Sequence, residues 1–263
     1  MSTMSYQGTV ALITGASSGI GTEFARQWAQ RGADVVLVAR RLDRLEQLAA
    51  DLEAAHGVTA TPIAADLSRP GAGEALRAEV EARGIAVQTV INNAGFGGFG
   101  PFAKQDPDEI ARMIQLNVVA VTEVSRAFLP QLVADGRGAL VNVASLAAYQ
   151  PAPNMAVYGA TKAFVLSLTE ALAYETRASS LRVLAVSPGA TGTEFNDVVG
   201  QEELGMGRVA TPAEIAAATR QALERGNVPP SVVPGLTNKA MALAPRLLPR
   251  RAMLAMSGRV FKA

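Results

Sequence analysis

The chain has 263 residues, 49% of them hydrophobic, with 24 glycines, 14 prolines and a formal net charge of +1. That length and apolar content suit one large domain with a sizeable core. With no cysteine and a single histidine, disulfides, Fe–S clusters, thiolate or multi-histidine metal sites, cysteine nucleophiles and a Ser-His-Asp triad are excluded, and no metal is expected.

The opening residues, MSTMSYQGT, lack a charged segment followed by an apolar one, and no apolar run approaches the ~18 residues needed to span a bilayer. A cytoplasmic location is therefore expected. The charge balance gives no argument for a nucleic-acid partner. It hides an asymmetry, however. Arg225, Lys239, Arg246, Arg250, Arg251, Arg259 and Lys262 follow Glu224 with no acid among them, which leaves 17 bases against 23 acids in residues 1–224.

Taken in chain order, apolar runs of strand length alternate with helical patterns. The runs are TVALITG, ADVVLVAR, VTATPIAAD, VQTVINNAG, GALVNVAS, LRVLAVSPG and the weaker VPPSVVPG. Between them Ile20, Phe24 and Trp28, then Leu42, Leu45, Leu48 and Leu52, recur at helical spacing and read as core. His56 before Gly57 reads as a structural residue at a helix end. Continuous apolar strands alternating with helices predict a single doubly wound (Rossmann) α/β domain, with a parallel sheet of about seven strands and ligands at the carboxyl ends of the strands. This domain is expected over 1–235, with a basic, apolar tail over 236–263. The stretch from Ala190 to Thr211 has neither period and suggests a functional lid.

The first strand runs into TGASSGIG, residues 14–21. Gly15, Gly19 and Gly21 permit a tight turn and close approach of a ligand, and the helix from Ile20 offers free N–H groups to a phosphate. The spacing departs from G-x-G-x-x-G, and a tight structural turn would need glycine too. The second strand ends in Arg40-Arg41, where an acid would select NAD and an arginine the 2′-phosphate of NADP. Asp66 closes the third strand and can accept a hydrogen bond from an adenine amine. Asn92-Asn93-Ala94-Gly95 closes the fourth. Further on, Tyr158 and Lys162 stand one helical turn apart and share a face. By itself that pair reads more readily as two surface residues.

TGASSGIG, NNAG, Asn117, Ser145, Tyr158-x-x-x-Lys162 and Pro188-Gly189, in this order, resemble the short-chain dehydrogenase/reductase family over roughly residues 8 to 235. The chain is also similar, more loosely, to the bacterial branch that reduces assorted carbonyls with NADPH. The resemblance implies a catalytic tetrad of Asn117, Ser145, Tyr158 and Lys162. It implies NADP(H) binding by Gly15, Ser17, Ser18, Gly19, Ile20, Gly21, Arg40, Arg41, Asp66, Leu67, Asn93, Ala94, Gly95, Tyr158, Lys162, Pro188, Gly189, Thr191 and Thr193. It also implies a homodimer or homotetramer in which the helices carrying Asn117 and Tyr158 pack across a two-fold axis.

The chemistry is consistent with those roles. Hydride transfer to a carbonyl makes an alkoxide that must be protonated, and a free tyrosine, with a pKa of about 10, is a poor proton donor near neutrality. A cation one turn away should lower that value. Ser145 can polarise the carbonyl oxygen, and Asn117 can hold a water that relays protons to Lys162. For the substrate, Phe96, Ala147, Phe195 and Met206, with Gly97, Leu146 and Tyr149, are candidate pocket residues, and none is Arg or Lys. A small-molecule carbonyl or alcohol of apolar character is expected. Two other readings are a non-catalytic NADPH-binding regulator, which should have lost a catalytic residue, and a reductase of membrane lipids seated by its basic tail. Pro245 and Pro249 should interrupt that tail, leaving at most short helices, and its apolar residues should pack on the acidic body or a sister subunit.

Overall fold

The first strand, β1 (Val10–Thr14), has no polar face: Ala11, Leu12 and Ile13 are all fully buried. The computed structural model describes residues 4–194 and 208–260, and in it β1 is an interior strand, third from one edge, of a seven-stranded sheet. The other strands are β2 (Asp34–Ala39), β3 (Ala60–Ala64), β4 (Thr89–Asn92), β5 (Ala139–Val143), β6 (Arg182–Val186) and β7 (Ser231–Val232). Their order is β3-β2-β1-β4-β5-β6-β7, and every pairing is parallel. The helices are α1 (Gly19–Ala29), α2 (Leu42–His56), α3 (Ala72–Ala82), α4 (Pro107–Ile114), α5 (Val121–Asp135), α6 (Ala156–Glu175), α7 (Pro212–Leu223), α8 (Leu236–Leu247) and α9 (Arg250–Val260).

Strand side chains alternate between the faces, so each run feeds two layers. Ala11, Ile13, Val35, Leu37, Ile91, Val141 and Leu184 pack with Phe24 and Trp28 of α1, Leu45 and Leu48 of α2, and Ile215 and Leu223 of α7. Leu12, Val36, Val38, Val90, Leu140 and Val183 pack with Leu76 and Val80 of α3 and with Val124, Phe128 and Leu132 of α5. Burial on both faces is why the strands read as continuous apolar runs. β7 is shorter than its run because Pro229, Pro230 and Pro234 have no N–H to give the ladder.

The helix ends follow local chemistry. Gly57, left-handed at φ +66°, closes α2 just after His56. A capping box opens α7: Thr211 Oγ1 accepts from the Glu214 N–H at 3.2 Å, and the Glu214 carboxylate accepts from the Thr211 N–H at 2.9 Å. In the tail only Pro249 breaks the chain. Pro245 sits inside the last turn of α8, and the helix continues through it for two more residues.

Trp28 anchors the first layer. It meets Tyr6 and Phe24 edge-on, with ring centroids 5.7 Å apart in both pairs. Trp28→Ala should therefore cost about 3–5 kcal/mol of stability, read from urea unfolding by circular dichroism. A loss below about 1 kcal/mol would contradict this packing.

Candidate active site

The strand order changes direction beside β1, whose neighbours are β2 on one side and β4 on the other, and a crevice opens at their carboxyl ends. There the chain turns through Gly15 and Gly19, left-handed at φ +67° and +58°. A Cβ on Gly15 would stand 2.9 Å from the Ala94 Cα, and one on Gly21 would collide with the Gly15 carbonyl oxygen. Gly21 thus serves the packing behind the turn, while Gly15, Ser17, Ser18, Gly19 and Ile20 line the cavity in front of it. No side chain caps the start of α1, so its first N–H groups are left for an anion.

The turn is pinned to the next strand. Thr14 Oγ1 accepts the backbone N–H groups of Asn93 and Ala94, both at 3.0 Å. Asn93 Nδ2 donates to the carbonyls of Thr14 at 3.0 Å and Gly15 at 3.3 Å. Asn93 also lines the cavity, and its amide hydrogens hold the glycine turn. Its partner Thr14 opens the TGASSGIG stretch but carries no other signal of this role in the sequence.

At the β2 end Arg41 reaches Ser17 Oγ from Nε at 3.3 Å and from Nη2 at 3.1 Å. Arg41 and Arg44 together hold the Glu194 carboxylate, at 3.1 and 2.6 Å. The hydrogen bond from Arg44, then that from Arg41, keeps the Glu194 carboxyl below its ordinary range. Sequence reasoning missed Arg44 and Glu194, although Arg44 lies one turn along α2 from Arg41. Asp66 accepts from Ser68 Oγ at 2.6 Å and Ser68 N at 3.1 Å; those bonds, with the side-chain one foremost, lower its pKa. Leu67 beside it is buried, and both residues line the cavity with Arg40 and Arg41.

On the other side, Ser145 follows β5 and caps a turn at Leu146–Ala148, accepting from the Ala147 N–H at 3.2 Å. Tyr158, on α6, is hydrogen-bonded to the Ser145 side chain. Tyr158 and Lys162 are both buried. Lys162 Nζ donates to the Val143 carbonyl at 2.8 Å and lies 5.8 Å from the centroid of the Tyr158 ring. The one-turn spacing predicts that Lys162 lowers the tyrosine pKa. In the structure burial dominates: it pushes the Tyr158 phenol up to about 12, against a lowering by the Ser145 hydrogen bond, and holds the Lys162 ammonium down to about 8.

Asn117 occupies a π-helical turn, Gln115–Ala120, between α4 and α5. Its Nδ2 donates to the Phe96 carbonyl at 2.9 Å and to Thr161 Oγ1 at 3.2 Å, and its Oδ1 accepts the Phe96 N–H at 3.2 Å. Both amide hydrogens are committed, so only one lone pair of Oδ1 remains for a water. Gly95 is held close: a Cβ there would lie 2.9 Å from Asn117 Oδ1 and 3.4 Å from Lys162 Nζ.

Ser145, Tyr158, Lys162, Asn93 and the front of the glycine turn line one cavity of about 670 Å³, whereas Asn117, fully buried, does not. Ala94, Gly95, Pro188, Gly189, Thr191 and Thr193 line it, as do Phe96, Leu146 and Ala147, whereas Gly97 and Tyr149 do not. Phe195 and Met206 lie outside the described residues. The base of the expected lid is closed by a parallel bridge between Thr191 and Ala210. Two cations that sequence reasoning did not place here, Arg112 and Arg208, also line the cavity; Glu109 stands 3.7 Å from the first and Glu214 2.6 Å from the second. Met241, Met253, Met256 and Ser257 of the tail join them.

The shift at Lys162 makes stability depend on pH. The unfolded ammonium titrates near 10.5 and the folded one near 8. Between those values the unfolded chain binds more protons, so raising the pH stabilises the fold. Tyr158 opposes this only above about pH 10, where the unfolded phenol ionises first. Wild-type protein should therefore gain melting temperature relative to Lys162→Met between about pH 8 and 10, with a level difference from about pH 6 to 7.5. A difference that stays level throughout, measured by calorimetry, would mean that Lys162 titrates normally.

The sequence pattern described as short chain dehydrogenase matches residues 9–204. A short chain dehydrogenase of Pseudocercospora fijiensis is 34% identical over 191 residues, 72% of this chain and 62% of that protein. A 7beta-hydroxysteroid dehydrogenase of Collinsella aerofaciens is 32% identical over 236 residues, 88% of each. A solved short-chain dehydrogenase from Sphingobium yanoikuyae in complex with NADPH superposes with a TM-score of 0.80 at 37% identity, over 94% of this chain and 95% of that one. The chain therefore belongs to the short-chain dehydrogenase/reductase family of nicotinamide-dependent oxidoreductases.

Proposed function

We propose that this oxidoreductase uses NADP(H) to interconvert an apolar ketone or aldehyde and its alcohol. One observation carries the reading: the hydrogen-bonded Ser145–Tyr158 pair and Lys162 line the same cavity as an uncapped glycine-turn helix and an arginine cluster. The cofactor fits the residues present. The turn admits no Cβ at Gly15 or Gly21, and the arginines already cradle an anion, the Glu194 carboxylate, where a 2′-phosphate would compete for them. The NADPH complex of the Sphingobium relative agrees with that choice.

When bound, the nicotinamide supplies or takes the hydride. Ser145 holds the reacting oxygen by a hydrogen bond and Tyr158 gives it a proton as the carbonyl becomes an alkoxide; in the reverse direction Tyr158 takes the proton back. Lys162 places a positive charge behind the phenolate, and Asn117 acts as a positioning residue that fixes Gly95 and Phe96 beside it. The tail belongs to the body in this reading, since Met253, Ser257 and Ala242 are buried. Self-association is proposed through α6, which is apolar nearly all round yet leaves Phe164 and Tyr174 exposed.

Titration with both cofactors tests the proposal. NADPH should bind on the order of a hundredfold more tightly than NADH, from charge-assisted contacts to the phosphate. Arg40→Asp should narrow that gap, and Glu194→Gln should strengthen NADPH binding a few-fold without affecting NADH. Equal affinities in the wild type would refute the NADP assignment. Tyr158→Phe should lower turnover by at least ~10²-fold with NADPH affinity unchanged. Near-normal turnover in that variant would refute the mechanism.

A further inference from the structure

The tail folds back onto the body, but by one face only. A Cβ on Gly189 would fall 2.6 Å from Asn238 Nδ2, so α8 sits directly on the Pro188-Gly189 turn, and α9 packs on α8. Ala242 and Met253 are buried on that inner side. The outer side of α8 has no such cover. Leu236, Ala240, Leu243 and Leu247 recur at i, i+4, i+7 and i+11, which makes one stripe along a helix. Its three leucines are 84%, 52% and 82% exposed. On α9, Leu254 is exposed one turn after Arg250 and Arg251.

Charge points the same way. Lys239 and Arg246 flank the leucine stripe of α8, and both are exposed, as are Arg250, Arg251 and Arg259 of α9. None of the five pairs with a carboxylate among the described residues. No Asp or Glu occurs after Glu224 to pair with them. On the body, by contrast, Arg26, Arg44, Arg77 and Arg220 hold carboxylates at 2.8, 2.6, 2.6 and 2.8 Å. Projecting leucines beside unpaired cations are the composition of a helix that lies in the headgroup layer of a bilayer.

We propose that the outer face of α8 and α9 docks this protein peripherally on an anionic bilayer surface. The leucines of α8 enter the headgroup layer and the five cations face its phosphates. A second copy suits this face less well, because a two-fold contact through it would set the five cations against the same five with no acid between them. The break at Pro249 does not oppose docking. A free peptide of this length would have to form its helices at the surface, whereas here the body already holds both. Docking of this kind is independent of the carbonyl–alcohol chemistry.

Co-sedimentation of the full chain with vesicles tests it, using phosphatidylcholine and phosphatidylglycerol in equal parts, and phosphatidylcholine alone. The wild type should bind the mixed vesicles, ignore phosphatidylcholine alone, and be released by about 0.5 M NaCl. Arg250→Gln combined with Arg251→Gln should weaken binding at least tenfold, from about fivefold for each cation. Leu236→Ser combined with Leu247→Ser should weaken it several-fold. Because all four positions are exposed, both variants should keep the wild-type melting temperature and NADPH affinity. Absence of binding to the mixed vesicles, equal binding to phosphatidylcholine alone, or binding unchanged in the arginine variant would overturn the proposal. If the leucine variant binds like the wild type, the face is a plain cationic patch and membrane docking is wrong. Sedimentation velocity without lipid covers the remaining occupant. A smaller assembly in the leucine variant, with vesicles left unbound by the wild type, would assign the face to a second copy and overturn the proposal.

Discussion

The clasp between β1 and β4 is the constraint on which the rest of the molecule depends. Thr14 accepts two backbone N–H groups from Asn93 and Ala94, and Asn93 returns two hydrogen bonds to the carbonyls of Thr14 and Gly15. These four bonds tie the glycine turn to the neighbouring strand at the point where the sheet changes direction. They fix the start of α1, and with it an uncapped helix N-terminus that opens into the crevice. Both strands are buried on both faces, so the clasp cannot shift without disturbing two core layers at once.

A second polar layer performs the same task on the catalytic side. Asn92 donates to Ser125 at 3.0 Å and to Asn142 at 2.9 Å, and Asn142 donates to Thr169 at 2.9 Å. This buried chain joins β4, β5, α5 and α6 through groups that are all satisfied, which is the condition under which polar atoms in a core rigidify it. The α6 helix is thereby fixed in rotation as well as position. Its register decides that Tyr158 faces Ser145 and Lys162 faces Val143.

The site also shows opposing electrostatic demands. Burial makes the Tyr158 phenol harder to ionise and the Lys162 ammonium easier to neutralise, and both effects run against an ion pair. The site therefore starts from a neutral phenol hydrogen-bonded to Ser145. That is the protonation state a proton donor needs. At the other end of the crevice the balance is reversed: guanidiniums in partial contact with solvent hold a carboxylate, and charge there is cheap to keep. One cavity thus joins a cationic end in partial contact with solvent to an end where Tyr158 and Lys162 are buried.

The fold was legible in the chain because the determining signals are local and periodic. Runs such as TVALITG and LRVLAVSPG show no polar alternation, since helices cover both faces, and the residues of TGASSGIG that must be glycine are adjacent in sequence. The i, i+4 spacing of Tyr158 and Lys162 likewise survives translation into a shared helix face. What tertiary structure alone decided are relations between distant segments. Asn93 and Asn117 read as ligand-facing polar residues, and their amide hydrogens are committed to partners that only folding brings near: the Thr14 and Gly15 carbonyls for the first, the Phe96 carbonyl and the Thr161 hydroxyl for the second. Glu194 meets Arg41 across roughly 150 residues of chain, and Arg112 and Arg208 join a cavity whose candidate substrate residues include no Arg or Lys. The direction of the Tyr158 shift depends on burial, which no spacing reveals. The tail gives the same lesson: its composition announced an apolar, basic segment that needed a partner, but its place above Gly189 depends on the shape of the surface it covers. Sequence fixes the periodicity and chemistry of each element, whereas the desolvation and pairing of a side chain are set by whichever neighbours the packed chain places around it.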